Sequence, residues 1–207
     1  MHRASRGIYG TEGAKPAFRR LFREVGLPEA IPTDNGAPFA STGIHGLCEM
    51  NVWWMQLGIV HQRIPPSSPQ ENGSHERMHR ELKRETTRPP GRNLPGQQRR
   101  FDRFQRRYNE ERPHEGIEGQ VPASRGEPSP RPYPERTQPP EYTGSIEVRR
   151  VSNAGTFRPK SAQFFLSNAL RDEHVGLEEI GDGSWSIVYY TTLLGRIDGR
   201  TGQITGV

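Results

Sequence analysis

The sequence predicts an α/β region followed, through a proline-rich linker, by a small β-barrel-like domain. Three observations predict it. Apolar stripes at helical spacing alternate with short strand-like runs in the first half of the chain. Seven prolines then gather between Gly119 and Thr143. Beyond them, residues 145–207 alternate apolar and polar residues between glycine-containing turns. The expected division is 1–118, 119–143 and 144–207.

Each element has a local reason. Residues 16–25, PAFRRLFREV, read as a helix: Pro16 suits a first turn, Phe18, Leu21, Phe22 and Val25 make one stripe, and Gly26 suits the cap. Ala30–Thr33 reads as a short strand ending at Asp34. Residues 43–57 read as a second helix with Ile44, Leu47, Cys48 and Met55 inward and Gly58 as its stop. Ile59–Ile64 alternates enough for a strand. PPSSPQENG, with Pro65, Pro66 and Pro69, reads as a loop. A helix from just after Asn72-Gly73 to about Thr86 carries HERMHRELK. PPGRNLPG breaks the chain, and residues 97–110 form another helix with Phe101, Phe104 and Tyr108 on one side. In the tail, IEVRRVS, AQFFLS, HVGLEEI, SWSIVYY and TLLGRID read as five strands, enough for a small barrel.

Composition narrows the function classes. The 207 residues carry a net charge of +5, so an acidic partner is plausible. Between Glu76 and Arg112 stand twelve Arg or Lys against six Asp or Glu, a basic helical stretch suited to phosphates, or simply a solvated face. One cysteine, Cys48, excludes an internal disulfide framework and fits a reducing cytoplasm. MHRASRGIYG lacks the apolar centre of a signal peptide, and no apolar run approaches the roughly 18 residues of a membrane span. Only 30% of residues are hydrophobic, against 19 Pro and 23 Gly, which is low for a compact globule.

HERMH, residues 75–79, matches H-E-x-x-H. His75 and His79 at i and i+4 would hold zinc, with Glu76 as general base. A third ligand is required, and nothing in the spacing of His114 demands that role. The flanks Asn72-Gly73-Ser74 and Arg80-Glu81 are polar, unlike those of a buried catalytic helix. The bland alternative is an exposed helix with charged neighbours. TDNGAPF, residues 33–39, puts an acid at a strand end, although Asp-Asn-Gly alone is a turn signal.

In order, the chain holds IPTDNGAPFAS, LGIVHQRIPPSSPQENGSHERMHRELK and YNEERPHEG. This set resembles the integrase-type DDE transposases of bacterial insertion sequences and, more distantly, the retroviral integrase core. The resemblance runs from about Pro16 to Asp198. It implies a ribonuclease H-like fold and metal-dependent DNA cleavage and strand transfer. Asp34 and Glu76 would be two of three metal-binding carboxylates, with Mg²⁺ or Mn²⁺ as the ion, since a hard cation prefers carboxylate oxygen to imidazole. Asn35 and Gly36 would support the first motif and Asn72 and Gly73 the second, letting a loop turn close to the start of the Glu76 helix. Tyr108, Asn109, Arg112 and His114 belong to the Y-N-x-x-R-P-H stretch. Arg77, Arg80, Lys83 and Arg84 are candidates for DNA phosphates. The implied partners are transposon ends and target DNA, with homo-oligomers in the full-length family and no membrane; the implied location is the bacterial cytoplasm, at the nucleoid.

One departure matters. The resemblance places a first aspartate several dozen residues before the second, yet residues 1–33 contain none. The expectation is a partial core without its first strands, from a decayed gene copy or from a full gene whose start is placed too late: a truncated, catalytically impaired chain whose metal binding is weakened by the missing third carboxylate. Pro159, in GTFRPKSAQFF, would also interrupt a strand. Two other classes stay open: a non-catalytic DNA-binding remnant using the basic helices and β-rich tail, and a zinc hydrolase through HERMH.

Overall fold

The first helix exists because Phe18 and Phe22 need a common apolar partner. In the computed structural model, which describes residues 11–206 except Asn35, Ala37, Ala40, Thr42, 65–68, Ser161 and Asp182, with backbone alone at 11, 12, 69–72, 74 and 75, that helix is α1, Thr11–Val25. It starts a turn and more before Pro16, whose ring forfeits one hydrogen bond to the preceding turn. The buried stripe is narrower than expected: Phe22 is buried, but Leu21 and Val25 stay 46% and 39% exposed. Gly26, at φ 81°, ends the helix with its amide on the Phe22 carbonyl at 3.0 Å. The chain divides into two compact units, one running through Arg63 and resuming at Pro130, the other Ile64–Ser129.

In the first unit, β1 (Ala30–Thr33) pairs in parallel with β2 (Val60–Arg63), with Ala30 opposite Val60 and Thr33 opposite Arg63. A parallel pair needs a crossover, and α2 (Glu49–Gln56) supplies it. The single helix expected over 43–57 is instead a 3-10 turn at Ile44–Gly46, then α2. Asn51 causes the break: its side chain accepts from the Cys48 amide at 2.8 Å and donates to the Gly46 carbonyl at 3.1 Å, so the chain restarts as a capped helix. Gly58, at φ 65°, stops it as expected.

Helix α2 is apolar nearly all round because it serves two cores. Met50, Trp53, Trp54 and Leu57 pack with Phe22, Leu27 and Ile59. Val52 and Met55 pack instead into the β-rich tail. There β3 (Glu147–Arg150), β6 (His174–Gly181), β7 (Ser184–Tyr189), β8 (Thr192–Asp198) and β9 (Ile204–Gly206) form an antiparallel sheet in the order β3-β6-β7-β8-β9. β4 (Thr156–Phe157) and β5 (Phe164–Phe165) form a separate pair. The barrel expectation is therefore corrected: among the described residues, the sheet is open, and β3 and β9 remain its two edges. All five strand-like runs contain strands, although AQFFLS contributes only two residues. Pro159 lies just beyond β4, outside any strand.

The proline-rich stretch is hydrogen-bonded to this unit from Arg131 onward. The Arg131 carbonyl accepts from the Leu27 amide at 2.7 Å, and its guanidinium donates to the Pro28, Leu57 and Gly58 carbonyls at 2.8–3.0 Å. The Tyr142 hydroxyl donates to the His174 carbonyl at 2.9 Å.

In the second unit, α3 spans Pro69–Thr86 and α4 spans Leu94–Arg106, continuing as a π turn over Arg107–Glu111. Two expectations change. Part of the predicted PPSSPQENG loop is helix, because proline at the first helical position loses no internal hydrogen bond. Asn72 and Gly73 are therefore helical and do not turn a loop. Helix α4 begins at Leu94 rather than 97, since the Asn93 side chain caps the Gly96 amide at 2.8 Å. Among the described residues, no helix is long and apolar enough to cross a membrane.

Candidate active site

Asp34 follows the last residue of β1 and is exposed. Its Oδ1 accepts from the Gly36 amide at 3.1 Å, a local turn that orients the carboxylate. A Cβ at Gly36 would stand 3.0 Å from that oxygen, so the absence of a side chain permits the approach. Asn35 lies outside the described residues.

The strand end behind Asp34 is built from residues that sequence reasoning passed over. Thr33, 8% exposed, shares its hydroxyl between the Asp34 carbonyl at 2.9 Å and His61 Nε2 at 2.7 Å. His61 comes from β2 and packs its ring at 65° to Trp54, 5.3 Å between centroids. Burial, then the charges of Arg63 and His45, push the His61 pKa down to about 4. A lone histidine in LGIVHQR has no local signature for this role; it reads as any half-buried strand residue.

Glu76 lies on α3, exposed, and two turns from the Pro69 start rather than close to it. Asp34 belongs to the first unit and Glu76 to the second. His79 is exposed on the same helix, and the side chain of His75 lies outside the described residues. No group of three or more His, Cys, Asp or Glu that could hold a metal ion occurs among the described residues. The two candidate carboxylates still fit a hard cation by donor type, because Mg²⁺ commonly takes one or two protein carboxylates and completes its shell with water and substrate phosphate.

Helix α3 sorts its charges by face. Glu76, Arg77, Arg80, Lys83 and Arg84 are exposed, and Arg84 approaches Glu85 at 3.6 Å. On the next stripe, Glu81 and Glu85 are largely covered and pair with Arg112 and Arg107. Met78 and Leu82 make a third stripe, lining an open groove of about 480 Å³ with Phe101, Phe104, Tyr108 and Asn109.

The Tyr108–His114 stretch is a clamp. Arg112 forks onto both Glu81 oxygens, its Nη2 donating to Oε1 at 3.1 Å. The Tyr108 ring stacks on Phe104 at 5.4 Å and meets His114 edge-on at 4.4 Å. His114 Nε2 lies 3.0 Å from the Tyr108 carbonyl. These contacts hold the π turn against α3, so the stretch shapes the helix pair that carries Glu76.

Residues 57–122 match the family model described as an integrase core domain. The match takes in β2, α3, α4 and the Tyr108–His114 clamp, and so includes Glu76 and His61; Asp34 precedes it. The match supports an integrase/transposase-type catalytic core over this stretch.

Proposed function

We propose that this protein serves DNA transposition or integration as a DDE-type transposase of ribonuclease H-like fold, with Asp34 and Glu76 as ligands of Mg²⁺ or Mn²⁺. The observation that carries the reading is the integrase-core match over 57–122, with Glu76 inside it on the exposed face of α3. Bound divalent ions would activate the attacking oxygen and stabilise the leaving oxygen of a phosphodiester. The protein's own groups supply the rest. Asp34 presents a carboxylate turned by the Gly36 amide at a strand end. Arg77, Arg80, Lys83 and Arg84 offer cations along the Glu76 helix for phosphate contacts that position a duplex without reading its sequence. Residues 1–33 add no aspartate, so the 207 residues hold two of the three carboxylates that the family resemblance implies.

The test is Mn²⁺ binding by isothermal calorimetry, with cleavage of supercoiled DNA followed in parallel. Asp34→Asn and Glu76→Gln should each weaken Mn²⁺ binding about tenfold or more. Binding unchanged in both variants would overturn the assignment.

A specific observation favours a second reading, a non-catalytic DNA-binding role for the tail. Arg149, Arg150 and Arg158 line a recess of about 420 Å³ with Ser152, Thr156 and Gln163, a basic and hydroxyl-rich surface suited to phosphate. DNA binding that persists without any nicking, and falls on Arg149→Ala and Arg158→Ala, would support it over catalysis.

A further inference from the structure

Strand β2 exposes Val60, Gln62 and Arg63, and only His61 turns partly inward. What His61 meets there is the end of the neighbouring strand. Thr33 has one hydroxyl proton and two partners, the Asp34 carbonyl at 2.9 Å and His61 Nε2 at 2.7 Å. The carbonyl can only accept, so when the hydroxyl donates to it, the short bond to the ring requires His61 to donate from Nε2. The other side of the imidazole is backed by Trp54, fully buried, which itself stacks on Phe39 at 5.6 Å and meets Phe18 at 5.3 Å. A continuous chain of contacts thus runs from the aromatic core through the imidazole and the Thr33 hydroxyl to the Asp34 peptide. The next link is the turn in which the Gly36 amide holds Asp34 Oδ1 at 3.1 Å.

We propose that His61 is a positioning residue for Asp34: by donating from Nε2 to the Thr33 hydroxyl, it fixes the backbone at the end of β1 and so sets the direction of the Asp34 carboxylate. The inference rests on the reading of Asp34 as a metal ligand for its consequence, though not for its geometry. A shape-filling residue at 61 would keep the packing on Trp54 and lose the donor. A glutamine would keep a donor.

The experiment uses the full 207-residue chain, isotope-labelled, with His61→Phe, His61→Gln, Thr33→Val and Asp34→Asn. Mn²⁺ is titrated while the paramagnetic broadening of the Gly36 amide signal is followed, and amide exchange at Gly36 is measured without metal. In the unsubstituted chain, Mn²⁺ should broaden Gly36, and Asp34→Asn should abolish the effect. His61→Phe and Thr33→Val should each need about tenfold more Mn²⁺, as expected for one lost hydrogen bond, and exchange faster at Gly36. His61→Gln should recover most of both losses, which a purely packing role would not produce. If His61→Phe keeps the unsubstituted midpoint and exchange rate while Asp34→Asn abolishes broadening, positioning is wrong and the metal reading survives. If broadening is absent or survives Asp34→Asn, the metal reading fails, and the Gly36 exchange rates alone judge the positioning. Should the variants not fold, ¹⁵N chemical shifts of the unsubstituted imidazole decide: a proton on Nε2 supports the assignment, and one on Nδ1 alone overturns it.

Discussion

Arg112 grips both carboxylate oxygens of Glu81, thirty-one residues away, and joins the π turn to the middle of α3. Glu81 is well covered and the guanidinium only partly so, which makes the bond stronger than an exposed ion pair. Arg112→Lys keeps the charge but loses the fork. It should destabilise the second unit by about 1 kcal/mol, and Arg112→Ala by about 2, because a covered carboxylate is left unpaired. Amide exchange along α3 reads this directly; protection unchanged in Arg112→Ala would remove the clamp from the account.

Gln56 on α2 donates to Glu173 Oε1 at 2.9 Å and to the Tyr189 hydroxyl at 3.0 Å, while that hydroxyl donates to Glu173 Oε2 at 2.8 Å. Three groups from distant parts of the chain thus satisfy one another beside a shared core. Tyr189→Phe should cost about 1–2 kcal/mol, since it leaves two polar side chains short of a partner in a half-buried place. The same loss should appear whether unfolding is followed at Trp53 and Trp54 or at Trp185, because α2 packs into both clusters. Separate transitions at the two sets of tryptophans would contradict a common fold for the first unit.

That shared core explains what could be read in the sequence. Helix α1 was legible from Phe18, Phe22 and Gly26, and β7 from the inward Trp185, Ile187 and Tyr189, because each buries one side. Helix α2 was only half legible: with a core on two sides it has no clean stripe, and the Asn51 cap that starts it resembles any polar residue in a helix. The number of tail strands followed from local alternation, but an open sheet and a barrel differ in long-range pairing, which alternation does not encode. At the candidate site, Asp34 stood out at a strand end. Thr33 and His61 did not, since their contact spans twenty-eight residues and no local pattern reports it.

Acid should weaken the first unit through His61. Its pKa in the fold is about 4, against 6.5 for a free imidazole. Between those values the unfolded chain binds a proton that the folded one excludes, so stability falls as pH drops from about 6.5 to about 4. In His61→Phe the slope of stability against pH over this window should be shallower. An identical slope in urea titrations would show that the imidazole is not the group responsible. At the alkaline end the sign reverses. Burial raises the Tyr189 pKa above the ordinary phenol range, so its contribution is complete below about pH 10 and lost as pH rises further. Tyr189→Phe should flatten that limb alone.

The exposed cations of α3 make a final prediction that separates phosphate contact from ordinary surface charge. Arg80 and Lys83 stand on the same exposed face as Glu76, whereas Arg107 and Arg112 are held by Glu85 and Glu81. If the exposed pair contacts phosphates, each neutralised phosphate releases counterions, and the slope of log affinity against log salt changes by about 0.9 per contact. Arg80→Ala with Lys83→Ala should therefore reduce the slope by nearly two and weaken binding equally on two duplexes of unrelated sequence. Fluorescence anisotropy from 50 to 200 mM salt gives both numbers. A slope unchanged within error would leave the two residues as solvated charge and move the DNA contact elsewhere, with the Arg149 and Arg158 recess the next surface to substitute.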